Sequence, residues 1–362
     1  LLIWALLGIQ AGMALAEGEA REHAIRIATY NTDLERDGPG LLLRDILRGD
    51  DVQVAAVVRV VARAAPDIIA LQGVDYDHLG LALKALQARL ADAGWPMPHA
   101  FSLRPNTGLP TGQDMDGDGR LGTPRDAQGF GRFEGQAGMA ILSRHPVVAD
   151  RARDFSTLLW RDLPGALLPR KDGRAFPSEA AQAVQRLSSV GHWAVPLRVR
   201  GKVLWLLTYH AGPPVFDGPE DRNGRRNHDE TRFWTLFLDG QFGAVPEGPF
   251  VLLGGTNTDP ADGQGRHDAL NALLSDPRLQ DPRPRGRGDT AADPTHTGDP
   301  ALDTVDWPGP VPGNQRVDYV LPSAGVQVRD AGVFWPASGA PMADAVATAS
   351  RHRLVWVDLK WP

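Results

Sequence analysis

The sequence predicts a layered α/β protein with mixed β-sheets, on three observations. Strand-length runs, wholly apolar or alternating, recur along the whole chain. Stretches with helical spacing alternate with them at first, and strands dominate afterwards. The 40 glycines and 30 prolines among 362 residues imply long irregular connections between the elements.

The strand-like runs are Ile25–Tyr30, Ile68–Gln72, Met139–Ser143, His192–Val199, Val203–His210, Phe250–Gly254, Arg316–Leu321 and Leu354–Lys360. Helical spacing appears in Val52–Ala64, His78–Ala93 and Asp229–Phe242. Gly94 supplies a stop for the second helix, and Asn227 or Asp229 a cap for the third. Loops 101–136, 211–228 and 281–315 lie between. Loops of this length in a compact fold are usually functional or held by a ligand. No repeat, low-complexity linker or domain break is visible, so residues 17–362 read as one domain.

Hydrophobic residues make up 42% of the chain and charged residues 23%, enough apolar material for a large core. The formal net charge of -6 gives no basic field to grip nucleic acid, although a nuclease is not excluded by it. Cysteine is absent, which rules out disulfides, thiolate metal sites and cysteine nucleophiles. The start, LLIWALLGIQAGMALA, reads as a truncated export signal, residues 1–16, with small residues at Ala14-Leu15-Ala16 and polar EGEAREH following. The expected location is periplasmic or extracellular, with no later span.

Residues 114–126, DMDGDGRLGTPRD, carry Asp114, Asp116 and Asp118 at alternate positions before Gly119. Three carboxylates so spaced wrap a hard cation, and the glycine permits the sharp turn. Arg125 stands where an EF-hand would place its glutamate, with Asp126 next to it. The expectation is a structural calcium ion held by Asp114, Asp116, Asp118 and Asp126. The bland alternative is a solvated acidic turn.

Several strand-like runs end in polar residues suited to phosphate chemistry. IATYNTD supplies Asn31 and Asp33, LLTYH supplies His210, and LLGGTN supplies Asn257. RVDYVLPS and SRHRLVWVDL supply Asp318 and His352. Amides and imidazoles hydrogen-bond phosphoryl oxygens, and an aspartate beside a histidine fixes its tautomer and raises its basicity. Singly, each residue reads as a turn or a satisfied structural group; the set, in this order, is far more specific.

With YNTD, LQGVDYD, RPNTG, GMAILSRHPV, TYH, GGTN, RVDYVL and SRHRLVWVDL in order, the chain resembles the endonuclease/exonuclease/phosphatase family of metal-dependent phosphoesterases. It looks closest to exported bacterial members sharing the loops NTGLPTGQDMDGDG, DAQGFGRF and PPVFDGPEDRNGRRNHDE. The resemblance implies a four-layer sandwich: two packed mixed β-sheets flanked by helices, with one site at the strand ends. It implies hydrolysis of a phosphodiester or phosphomonoester by in-line attack of water, assisted by magnesium or a similar divalent ion. Asn31 and Asp33 would then lie beside the metal, and Asn106 would contact the substrate phosphate. His210 would stabilise the transition state, Asn257 would position the water or metal, and Asp318 would orient His352 against the scissile phosphate.

Three acids of the family pattern are replaced: its LQE reads Leu71-Gln72-Gly73, its GDxN reads Gly254-Gly255-Thr256-Asn257, and its SDH reads Ser350-Arg351-His352. Glycine offers a metal no side chain, and a guanidinium repels a divalent ion at short range. Two readings follow. Hydrolysis persists by rearrangement, with Asp33, Asp75, Asp77 or Asp259 as substitute carboxylates. Alternatively the chain is a pseudoenzyme or calcium-stabilised binding module for an anion or partner, with Arg351 gripping phosphate.

Overall fold

The computed structural model describes residues 24–288, 293–309 and 311–362. The apolar segment read as an export signal lies outside the described residues. In chain order the strands are β1 (Ala24–Asn31), β2 (Ile68–Val74), β3 (His99–Phe101), β4 (Gly138–Ser143), β5 (Arg153–Asp154), β6 (Arg170–Lys171), β7 (Arg174–Ala175), β8 (His192–Val199), β9 (Lys202–His210), β10 (Phe250–Gly255), β11 (Asp318–Pro322), β12 (Val328–Val333) and β13 (Val355–Lys360). The helices are α1 (Leu41–Arg48), α2 (Val52–Ala64), α3 (Leu81–Asp92), α4 (Glu179–Val184), α5 (Arg222–Leu238), α6 (Asp268–Leu274) and α7 (Ala343–Ala349).

One sheet runs β12-β13-β1-β2-β4-β3 and the other β11-β10-β9-β8-β5, with β6–β7 a separate small ribbon. Both large sheets are mixed: β1–β2 and β9–β10 are parallel, while β1–β13 and β10–β11 are antiparallel. Side-chain alternation builds the layers. Ile25 and Ile27 of β1 meet Leu204 and Leu206 of β9, Val251 and Leu253 of β10, and Val320 of β11 in a core between the sheets. The opposite face of β1, Ala28 and Tyr30, packs with Val54, Val57, Val58 and Val61 of α2. Leu207 and Tyr209 of β9 turn outward onto Phe233, Trp234 and Phe237 of α5. The result is the expected order of helix, sheet, sheet, helix.

Local chemistry sets the helix ends. The Asp51 carboxylate caps α2 by accepting from Val54 N at 2.8 Å. Gly94, at φ 83°, takes the left-handed turn just past α3. The third predicted helix is corrected. It begins at Arg222 and ends at Leu238, so Asn227 and Asp229 are interior residues and cap nothing. Its first turns, RNGRRNHDE, lack an apolar stripe because they bury polar groups. Asp229 accepts from Trp160 Nε1 and Leu167 N, both at 2.7 Å, and Asn227 Nδ2 donates to Gly212 O and Thr256 O at 2.7 Å each. Hydrophobic periodicity cannot detect a face buried in that way. Among the described residues, no helix is long and apolar enough to cross a membrane.

Candidate functional site

Strand register gathers the polar strand ends. Parallel β9 and β10, with antiparallel β11, set His210, Gly255 and Asp318 abreast. In the other sheet Asn31 lies beside Gln72. The segment entering β13 brings Ser350, Arg351 and His352 to the same edge. Ser350 Oγ hydrogen-bonds Asn31 O at 2.8 Å and Asp33 Oδ2 at 2.9 Å, and Arg351 N donates to that Oδ2 at 3.1 Å.

Asp318 and His352 form the expected pair, with Nδ1 2.8 Å from Oδ2. Thr304 Oγ1 donates to the same oxygen at 3.1 Å. Burial alone would lower the His352 pKa, but the charge and hydrogen bond of Asp318 outweigh it and hold the imidazole above its ordinary value. His210 behaves oppositely: burial, reinforced by the nearby His352, lowers its pKa to about 4 and keeps it neutral. Two buried atoms here have no protein partner, His210 Nδ1 and Asp318 Oδ1. They flank the same spot, for a Cβ built on Gly255 would stand 2.5 Å from the first and 3.4 Å from the second. The imidazole of His210 therefore fills the space that an acid at position 255 would need.

Gly73 is closed in a different way. It adopts φ 67°, and a Cβ there would lie 2.5 Å from Asn31 Oδ1 and 3.0 Å from Asp33 N. The β2–β4 register shifts at this point, between Gln72 and Val74. A side chain at 73 thus demands a different backbone.

Two candidates are spent on bracing the backbone. Asn106 is fully buried, donating to Ser156 O and Ser188 O and accepting from Arg186 Nη1, each at 2.7 Å. Its amide is spent on bracing loops and offers a substrate phosphate no donor. Asp75 is a brace as well: Oδ1 accepts from Ala137 N at 3.0 Å and Oδ2 from Arg36 N at 2.9 Å. Burial raises its pKa to about 6, against the pull of those two N–H groups. Asn257, at φ 52°, donates from Nδ2 to Ala211 O at 2.6 Å and lines a cleft with His210.

That cleft, of roughly 460 Å³, runs from His210 and Asn257 to the exposed rings of Phe130 and Phe216. Gln185, Arg226 and Glu230 also line it; the sequence offers Arg226, with Arg222 and Arg225, as able to reach an anion from a stretch that reads more readily as a charge-balanced solvated loop, and gives no such sign for Gln185 or Glu230. Glu230 is fully buried; burial raises its pKa to about 7, although Arg226 and hydrogen bonds from Ser189 and Gly212 oppose that. The one sequence signal was a run of charged residues that nonetheless forms helix.

In the acidic loop, one oxygen each from Asp114, Asp116 and Asp118 lies within 4.8 Å of the other two. Asp126 does not join them. Its oxygens accept from Met115 N and Thr123 N, both at 2.9 Å, and the latter bond helps cap the short 3-10 turn at Pro124–Asp126. Arg222 of α5 donates to Met115 O, which ties the loop to the cleft wall.

A model of the endonuclease/exonuclease/phosphatase family matches residues 28–352. The chain belongs to this family. An endonuclease/exonuclease/phosphatase from Beutenbergia cavernae shares the fold at TM-score 0.54 and 19% identity, over 94% of this chain and 72% of that one. A family protein from Leptotrichia buccalis does so at 0.50 and 15%, over 93% of this chain and 100% of that one. No curated protein matches.

The family generally uses a divalent metal ion. The strand-end residues of this member do not fit one. Among the described residues the only trio of acidic or histidine groups spaced to share an ion is Asp114, Asp116 and Asp118. At the strand ends Asp33 Oδ2 already accepts from Ser350 and Arg351, and positions 73 and 255 carry no ligand.

Proposed function

We propose that this member recognises a phosphate ester at its strand ends and that metal-assisted hydrolysis there is impaired. The observation that carries the reading is the buried Asp318–His352 pair facing neutral His210 across Gly255, where both His210 Nδ1 and Asp318 Oδ1 lack protein partners. Holding the imidazole above its ordinary pKa favours its protonated form, which is the stronger donor to a phosphoryl oxygen. Asn257 and Arg351 supply further donors at the same edge. The substrate class is phosphate-containing and otherwise open, and a nucleic acid is not favoured by the net charge of -6. We read the acidic loop as a structural calcium site and the apolar start as an export signal.

Generic phosphomonoesters and phosphodiesters, assayed with magnesium beside His352→Ala, test this reading. The expected result is little turnover and phosphate binding that His352→Ala abolishes. Magnesium-stimulated turnover lost in His352→Ala would overturn the impairment and favour rearranged chemistry. Phosphate binding indifferent to His352 would overturn the site. The second reading, a calcium-stabilised module that binds a partner, rests on the Asp114, Asp116 and Asp118 cluster and predicts no phosphate binding at the strand ends.

A further inference from the structure

We propose that Phe130 and Phe216 clamp a planar apolar group at the mouth of the cleft, so that the ligand is an aryl ester of phosphate. The proposal rests on the reading above for where the phosphoryl group lies.

The two residues are 65% and 78% exposed, yet the backbones that carry them are fixed. Phe130 stands between the buried stretch 126–129 and buried Gly131. Gly129 N donates to Asn106 O at 3.0 Å, and Gly108 N donates to Gly129 O at 2.9 Å. A Cβ on Gly129 would collide with Ser189 O, and one on Gly131 would stand 2.6 Å from Gly108 N. The flanking glycines thus seat the loop closely while the ring is held out at the cleft. Phe216 is held in a similar way. Asn223 of α5 ties down the residues on either side of it: Nδ2 donates to Val215 O at 2.7 Å, and N donates to the Asp217 carboxylate. Phe216 itself has φ 72°, a left-handed conformation that is costly for an aromatic residue.

Both rings line the cleft, and among the described residues neither stacks on the other or on a further aromatic ring. The same cleft reaches His210 and Asn257, so a group seated between the rings is continuous with a phosphoryl group at the strand ends. Its volume of roughly 460 Å³ suits a small ester of that kind. The floor asks for no charge from a ligand, since buried Arg226 has buried Glu230 as its charge partner. What the cleft leaves uncovered is apolar ring surface. Flat rings favour a planar aromatic group over a flexible chain, because offset stacking adds to the burial of area. Incidental surface phenylalanines would account for the exposure. They would not account for two fixed backbones that converge on one cleft, or for the left-handed Phe216.

Calorimetry of the whole chain in excess chelator, with methyl, octyl and 2-naphthyl phosphate, tests the proposal. The naphthyl ester is expected to bind at least about tenfold tighter than the methyl ester and about threefold tighter than the octyl ester. Phe130→Ala and Phe216→Gly are each expected to cut the naphthyl-to-methyl ratio about threefold, and together to bring it close to one. Phe216→Gly removes the strain along with the ring, so it is expected to keep or raise the melting temperature while weakening the naphthyl ester. A Phe216 that serves only the fold would lose stability instead. Equal affinities for the naphthyl and methyl esters, or for the naphthyl and octyl esters, overturn the clamp, as does a ratio unchanged in the double variant. Should the naphthyl ester bind and respond to the two phenylalanines but not to His352→Ala, the strand-end reading fails and the clamp stands. Binding of no probe overturns both.

Discussion

Two residues at the strand ends, His352 and Gly73, give direct measurements. The His352 pKa is raised by Asp318, so its protonated form stabilises the fold fully below the ordinary pKa of 6.5, and that contribution is lost as pH rises through the folded value. In Asp318→Asn burial wins instead. The imidazole midpoint followed by NMR should lie above 6.5 in the unaltered chain and below 6.5 in the variant; an unmoved midpoint would contradict the pairing. Gly73 is the second case, because its φ of 67° and crowded Cβ position exclude a side chain without strain. Gly73→Ala should cost about 1–3 kcal/mol in denaturant unfolding, and no change would show that the backbone there accepts side chains freely. For the same reason, restoring a glutamate at 73 should not by itself rebuild a metal site.

At the scale of the element, α5 shows what the sequence made legible and what it hid. The helices and strands with apolar stripes, α2 and α3 and the paired strands, were readable because burial writes itself as periodicity. The start of α5 was not, since Arg226, Asn227, Asp229 and Glu230 are buried through hydrogen bonds. Helix α1 was missed although Leu42 and Ile46 stand at helical spacing, because eight residues are too short a window for two buried positions to stand out. The strand-end residues were legible from order and type, whereas the bracing roles of Asn106 and Asp75 depended on loops far away in sequence. Buried Glu230 gives α5 a pH signature. Its pKa is raised from 4.5 to about 7, so its protonated form contributes stability that is complete below 4.5 and lost as pH rises to about 7. The melting temperature of Glu230→Gln should therefore fall less between pH 5 and 7.5 than that of the unaltered chain; parallel declines would refute the assignment.

Across the whole molecule, the two sheets present one edge, and long loops build the cleft above it. The acidic loop is tied to the cleft through Arg222, so a cation at Asp114, Asp116 and Asp118 would stiffen the cleft wall. Calcium at a hundred times its Kd would stabilise the native state by about 2.7 kcal/mol. Melting after chelation should rise on adding millimolar calcium and not respond in a chain with Asp114→Asn and Asp116→Asn; no rise in the unaltered chain removes the calcium reading. The central claim is that imidazole and amide groups at the strand ends still hold phosphate although the metal-binding acids are gone. Titration calorimetry of inorganic phosphate in excess chelator, with and without His352→Ala, tests it most directly. The account predicts binding in chelator that His352→Ala removes. Binding that appears only when magnesium is restored, and that persists in the Asp114→Asn, Asp116→Asn chain, would contradict it.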